Sequence, residues 1–299
     1  MSAQLTYLIY SALWKLMRVL PENFARGFFN VIASVAYRRN KKRVKRLREN
    51  YRKVRPKTTD DELESMVKAG LKSAMRYWCD TFRIADWSKE RIVKTVTCSN
   101  EDLLLTGAAS GKGVIVALPH AGNWDHAGLY FCNKGITVHT VAEHLKPEKL
   151  FLKFLEHREK MGMKVFDIDG SVTEELEGIL RRGGLVALVS DRDLSKSGIT
   201  VNFFEAKAKM PAGPALLALR TGASLITAYV SYTKSGIHIN FAGPFTVDEH
   251  GNENLEIESG KIVALTQALA NQFARDIQRD PTSWHMQQRI FVEPEHVNS

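Results

Sequence analysis

The stretch GVIVALPHAGNWDHAG, residues 113–128, decides how the chain is organised. GVIVAL at 113–118 is an apolar run that reads as a strand. Pro119 then ends it, Gly122 allows a sharp turn, and Asn123 offers an N-cap for a helix over 125–133. His120 and Asp125 stand on either side of that break. On one continuous helix, five residues would leave them about 140° apart in azimuth, unable to meet. With His120 in a loop and Asp125 in the first helical turn, the carboxylate can reach back to the imidazole. A carboxylate on one ring nitrogen fixes the tautomer and leaves the other free to accept a proton, as general-base catalysis requires. A turn that merely ends a strand remains the competing reading.

Working outward, the pattern continues as strands and helices in alternation. Strands are expected at 136–142, 163–168, 185–190, 200–204, 224–230 and 236–242. Helices are expected at 147–160, 171–182, 211–221 and 255–279. Strands separated by helices of ten or more residues imply right-handed crossovers. The fold class is therefore α/β, with a mostly parallel central sheet and flanking helices. The last two strands, joined at SYTKSG, read as an antiparallel hairpin.

In open parallel sheets, ligands bind beyond the carboxyl ends of the strands. Glu143 and His144 follow one strand, and Ser190, Asp191, Arg192 and Asp193 follow another. Strand ends that cluster would bring these groups to one cleft with His120; a solvated loop is the plainer reading of Asp191–Asp193. Trp124, Phe203 and Phe204 are candidates to line an apolar groove, with core packing as the alternative. His126, His139, His144, His157 and His285 fall in no metal-ligand spacing and read as packed or surface groups.

With 299 residues and 44% apolar side chains the chain can bury a full core. One domain over 1–299 is expected, with a basic, membrane-associating helical region at 1–57 whose amphipathic helices pack on the body, and an α/β core at 110–245. The charge is uneven: residues 1–57 hold 15 Lys/Arg against 2 Asp/Glu, whereas the remainder is slightly acidic. Such an asymmetry suits an anionic partner, a lipid leaflet or nucleic acid. Within 38–57, Val44, Leu47, Tyr51 and Val54 recur at helical spacing, so the block reads as a basic amphipathic helix of the kind that lies on membranes. Tyr51 is the single aromatic among those cations, which argues against nucleic acid. Lys15 and Arg18 interrupt the opening apolar segment, leaving it short of the ~20 residues a spanning helix needs. No basic n-region or A-x-A-like site marks it as a secretory signal. Thr58, Thr59 and Asp60 ahead of Glu62 offer capping for a helix running to about Tyr77. The three cysteines, Cys79, Cys98 and Cys132, include no C-x-x-C pair, fitting a reducing compartment without a zinc site.

His120 to Asp125, together with DRD at 191–193 and VNFFEAKAKMPAGPALLALRTGASLI at 201–226, resembles the bacterial lipid A biosynthesis acyltransferases of the broader glycerolipid acyltransferase superfamily. A fuller series includes HAGNWDHAG, VAEHLKPE, REKMGM with Arg158, DRDLSKSGI, FFE-x-x-x-KMPAGPALLAL with Glu205, and PTSWHMQQ. This series is similar to the actinobacterial branch acting on phosphatidylinositol mannosides, and it runs over nearly the whole chain. The resemblance implies transfer of a long acyl chain from acyl-CoA to a mannose hydroxyl of a phosphatidylinositol mannoside glycolipid. The enzyme would be peripheral, at the cytoplasmic face of the cell membrane. It implies His120 as the base and Asp125 as the group that orients it. Glu143, Arg158, Asp191, Arg192, Asp193 and Glu205 would bind substrate. No cofactor or metal is expected beyond acyl-CoA as co-substrate, and no nucleic acid. A lipid A-type enzyme using acyl carrier protein, a hydrolase on the same scaffold, and a basic nucleic-acid-binding protein are the alternatives.

Overall fold

The computed structural model describes residues 3–142, 146–167, 172–193, 197–246 and 255–292. Four helices lead: α1 (Ala3–Val19), α2 (Glu22–Arg39), α3 (Lys42–Val54) and α4 (Asp60–Arg83). Next come α5 (Lys89–Lys94), β1 (Val96–Ser99), α6 (Glu101–Ala109), β2 (Val114–Leu118) and α7 (Trp124–Asn133). The alternation continues through β3 (Val138–Ala142), α8 (Glu148–Lys160), β4 (Lys164–Asp167), α9 (Val172–Arg181) and β5 (Leu185–Val189). It closes with β6 (Ile199–Phe203), β7 (Ala206–Met210), α10 (Gly213–Thr221), β8 (Ser224–Tyr232), β9 (Ile237–Ala242) and α11 (Leu255–Arg279).

The central sheet has the order β1-β9-β8-β2-β5-β3-β4. From β8 to β4 all neighbours are parallel. The β8–β9 hairpin reverses direction as expected, and β1 runs parallel to β9 at the edge. Every residue of β2 is buried, because separate apolar clusters cover the two faces of the sheet. One gathers Ile115, Ala117 and Val186 with side chains of α9, α10 and α11; the other gathers Val114, Val116 and Leu118 with α7.

Three strands, β1, β6 and β7, depart from the expectation. β1 lies in a stretch that reads as short and mixed, and four residues are too few to show a period. β6 does not enter the main sheet: it pairs with β7 in an antiparallel ribbon. β7 is AKAKM, and Ala and Lys are depleted in strands, so pairing with β6 makes the strand where propensity does not.

The basic block is not one helix. Asn40 adopts φ 42° and ends α2, and α3 begins two residues later. Val44, Leu47, Tyr51 and Val54 are all at most 4% exposed. They pack into the protein, so the stripe read as membrane-facing is a core contact. Most of the exposed large apolar side chains lie instead on α1 and α2, including Leu8, Leu16, Phe24, Phe28, Val31 and Val35. No helix among the described residues is long and apolar enough to cross a membrane. Thr59 caps α4 through a reciprocal capping box with Glu62, as its sequence implies.

Candidate functional site

The parallel register of β2 and β5 pairs Leu118 with Val189, and the Ser190 N–H donates to the Leu118 carbonyl at 2.9 Å. Two residues beyond that pair, on each strand, stand His120 and Asp191. They meet: His120 Nδ1 is 2.5 Å from Asp191 Oδ1, and the His120 backbone N–H donates to Asp191 Oδ2 at 3.1 Å. Trp284 Nε1–H also donates to Oδ2, at 2.8 Å. Asp191 is fully buried. Burial opposes its ionisation, but the His120 charge and the three hydrogen bonds outweigh burial and hold the carboxyl below its ordinary value. Its partners make it an ion that needs no water.

The His120 side chain keeps 34% of its surface exposed. Its loop is clamped from both sides. Gly122 at φ +58° lets the chain turn into α7, and a Cβ there would stand 2.4 Å from the Val230 carbonyl oxygen, so glycine is required. The Gly122 N–H donates to Ser283 O, and the His285 N–H donates to His120 O, both at 2.8 Å. Asn123 caps α7 by accepting from the His126 N–H.

Asp125 faces elsewhere. Its Oδ1 accepts from Arg158 Nε at 2.8 Å and its Oδ2 from the Tyr77 hydroxyl at 3.0 Å. Burial disfavours the Arg158 charge, but the Asp125 carboxylate more than restores it. The expectation that Asp125 orients His120 is therefore corrected: the ring partner is Asp191, because the first turn of α7 aims Asp125 at α4 and α8. Asp125 instead fixes the wall beside the imidazole. Tyr77 stacks on Trp124 at 4.4 Å, and Trp124 presents its face or edge to His120 in a T-shaped contact at 5.8 Å.

The remaining sequence candidates divide. The Arg192 guanidinium is taken by Gln288, and the Asp193 backbone N–H donates to Lys209 O. Glu205 is exposed in the β6–β7 turn. Phe203 is 1% exposed and packs behind Trp284 together with Phe204, so it supports the Asp191 donor and lines no groove. Glu143 lies outside the described residues. Burial lifts the thiols of Cys79 to about 12 and Cys98 to about 11, and raises Cys132, which disfavours a thiolate nucleophile. Among the described residues no group of three metal-ligating side chains forms.

Sequence reading missed Ser73, Tyr77, Trp284 and the contact of His285. His285 Nε2 lies 2.9 Å from Ser73 Oγ; burial, and then the His120 charge, lower its pKa to about 3. A neutral His285 therefore backs the His120 loop. Trp284 is legible only as part of PTSWHMQQ, because nothing in its local pattern says which carboxylate it meets.

A profile of the bacterial lipid A biosynthesis acyltransferases matches residues 2–292. The chain is 35% identical over 295 residues to the phosphatidylinositol mannoside acyltransferase of Mycolicibacterium smegmatis, covering 98% of this chain and 93% of that protein. It is 34% identical over 284 residues to the protein of the same name from Mycobacterium tuberculosis, covering 93% and 86%.

Proposed function

The chain belongs to the bacterial lipid A biosynthesis acyltransferase family, and on that premise we propose that it moves a long fatty acyl chain from acyl-CoA to a mannose hydroxyl of a phosphatidylinositol mannoside glycolipid. It is an O-acyltransferase; the donor, the acceptor hydroxyl and the membrane setting are the proposal. The observation that carries it is the 2.5 Å contact between His120 Nδ1 and Asp191. With Nδ1–H donated to a buried carboxylate, Nε2 is the basic nitrogen of a partly exposed ring.

The acceptor hydroxyl loses its proton to His120 Nε2 as its oxygen attacks the thioester carbonyl. The imidazolium that forms is stabilised by Asp191, which stays ionised. Collapse of the tetrahedral intermediate expels the thiolate, and the proton returns from Nε2 to sulfur. General-base assistance of this kind accelerates attack ~10²–10⁴-fold. In this reading the oxyanion is received by backbone N–H groups at the start of α7, which begins four residues after His120. The thioester is already activated, so no covalent intermediate is required, and no metal or other cofactor is invoked.

Peripheral attachment to the cytoplasmic face of the membrane is part of the same reading. Phe24, Phe28, Val31 and Val35 are exposed at spacings of four, three and four residues on α2, one continuous apolar face suited to the acyl boundary of a bilayer. The test follows labelled acyl chain from acyl-CoA into glycolipid for the wild type and His120→Ala. The wild type is expected to transfer faster than it hydrolyses, and the variant to fold and bind vesicles without transfer. Retained transfer by the variant would overturn the assignment of the base.

A further inference from the structure

Beside the apolar face of α2 lies a cavity of about 320 Å³ between α2 and α4. Ala33 and Tyr37 form its apolar lining, and Arg38, Lys68 and Lys72 stand around it with no acidic side chain among the lining groups. Glu64, the acid that faces Lys68, is already engaged: it takes two hydrogen bonds from Arg48 and one from Tyr37. Lys68 sits over the Tyr37 ring at 5.0 Å. Arg38, Lys68 and Lys72 thus leave a local excess of positive charge in a concave site that no carboxylate lines.

Lys72 also belongs to a second cavity, of about 490 Å³, and the two meet at that residue. This one is lined by hydroxyl and amide groups, among them Asn30, Ser73, Thr282 and Ser283. Apart from Lys72, its charged groups already have partners. Arg26 and Arg76 flank the buried Asp80 at 3.5 and 3.4 Å, and Asp280 accepts from both the Thr282 and Ser283 hydroxyls. Ser73 contacts the His285 ring, and the His285 N–H holds the His120 carbonyl.

The order along the protein is thus apolar face, cationic cavity, hydroxyl-lined cavity, then the His120 loop. A membrane-anchored glycolipid acceptor has the same order: acyl chains, phosphodiester, polyhydroxyl rings, reacting hydroxyl. On the reading given under Proposed function, we propose that Lys68, Lys72 and Arg38 bind the phosphodiester of the acceptor lipid and that the adjoining cavity receives the first ring of its head group. The geometry suits a lipid. Ser34 and Arg38 lie on the flank of α2 next to Val31 and Val35, and a helix is only about 10–12 Å thick. A phosphate bound there sits at head-group depth when the apolar face is in the acyl boundary. From Lys68 to Tyr77, which stacks on Trp124 beside His120, α4 rises about 13 Å, a span that two linked six-membered rings cover. The phosphates of acyl-CoA carry the same chemistry but no such constraint on depth, so the experiment separates the two sources.

The test uses the full chain with Lys68→Gln and Lys72→Gln together. Both side chains are exposed and glutamine keeps the helix propensity of lysine. Transfer is measured to a phosphatidylinositol mannoside and to an alkyl mannoside that lacks the phosphate. The wild-type preference for the phosphorylated acceptor, as a ratio of kcat/KM, is expected to fall about tenfold or more in the variant, with KM for acyl-CoA unmoved. Lys112→Gln, at the opposite end of β2, is expected to keep the preference. A ratio unchanged in the double variant, or a rise in KM for acyl-CoA in its place, overturns the proposal. Binding of glycerophosphoinositol, followed by saturation-transfer NMR, judges the cavity independently of turnover. Should the wild type acylate neither mannoside, the functional reading fails, and the cavity still stands or falls on whether the double variant loses that binding.

Discussion

His120 and Asp191 emerge side by side because each lies two residues past a paired position, Leu118 and Val189, on adjacent parallel strands. The contact is closed from the other directions: the His120 backbone N–H and Trp284 Nε1–H occupy Asp191 Oδ2. The pair is thus a property of sheet register, held by one strand end, one loop and one buried indole.

Asp191→Asn leaves this shape nearly intact but reverses the chemistry. An amide can donate to Nδ1, which puts the ring proton on Nε2 and removes the base. Turnover is expected to fall by about two to four orders of magnitude, with KM for acyl-CoA little changed and thermal unfolding near that of the wild type. Steady-state transfer kinetics check this. A variant of near-normal rate would show that Asp191 does not set the tautomer.

Trp284→Phe removes one donor to the buried carboxylate. The loss is expected to cost about 1–3 kcal/mol of stability, measured by urea unfolding. Fewer donors to the ionised form also raise the Asp191 pKa. The acid limb of the rate profile should therefore move to higher pH. A profile with an unmoved acid limb would place the titrating group elsewhere.

Asp125 and Arg158 are predicted to act through structure. Each is largely or fully buried, with side chains 2% and 18% exposed, so removing either strands the other. Arg158→Met is expected to destabilise by about 3–5 kcal/mol. The double variant with Asp125→Asn is expected to cost less than the sum of the single changes. Activity lost on Asp125→Asn should track the disturbed Tyr77–Trp124 wall, seen as a change in near-ultraviolet dichroism. Strict additivity in the cycle would argue against the pair.

Much of the site could be read before the fold was known, and its central contact could not. An apolar run ending at Pro119 exposes His120, and the run LVALV before Asp191 marks a second strand end. What local pattern lacks is the neighbour relation of β2 and β5, which are separated in sequence by α7, β3, α8, β4 and α9. Asp125, five residues from His120, is the near candidate in the chain and the wrong partner in space. The stripe Val44–Leu47–Tyr51–Val54 shows the same limit. Its helical spacing is plain, whereas the choice between lipid and protein as its cover depends on where α4 and the 281–290 segment lie. Tyr51, for example, donates its hydroxyl to the Trp284 carbonyl at 3.0 Å, a contact between residues 233 positions apart.

His126 gives a prediction on acid stability. It is 1% exposed, with Nε2 3.2 Å from the Thr95 hydroxyl. Burial first, and then the charges of Arg76 and Arg91, lower its pKa to about 4. The folded chain keeps it neutral while the unfolded chain protonates it below about 6.5, so its contribution is complete above pH 6.5 and lost as the pH falls towards 4. At pH 5 the loss is about 2 kcal/mol. Urea midpoints at pH 7 and pH 5 should converge by that amount in His126→Gln relative to the wild type. Equal acid sensitivity of the two proteins would contradict it.

The exposed face of α2 makes the last prediction. Phe24 and Phe28 are 71% and 43% exposed in the isolated chain, so replacing both by Ser removes apolar surface without opening the core. Full burial of a phenylalanine contributes about 1.5–3 kcal/mol. The double variant is therefore expected to bind anionic vesicles at least about tenfold more weakly, while its unfolding midpoint stays where it was. Salt should weaken both proteins, since the surrounding Lys and Arg each contribute about 1 kcal/mol near an anionic surface. Because salt acts on the charges and the substitution on the apolar face, the two losses should combine in co-sedimentation measurements. Unchanged vesicle binding in the double variant would leave the cations alone as the attachment and remove α2 from the membrane.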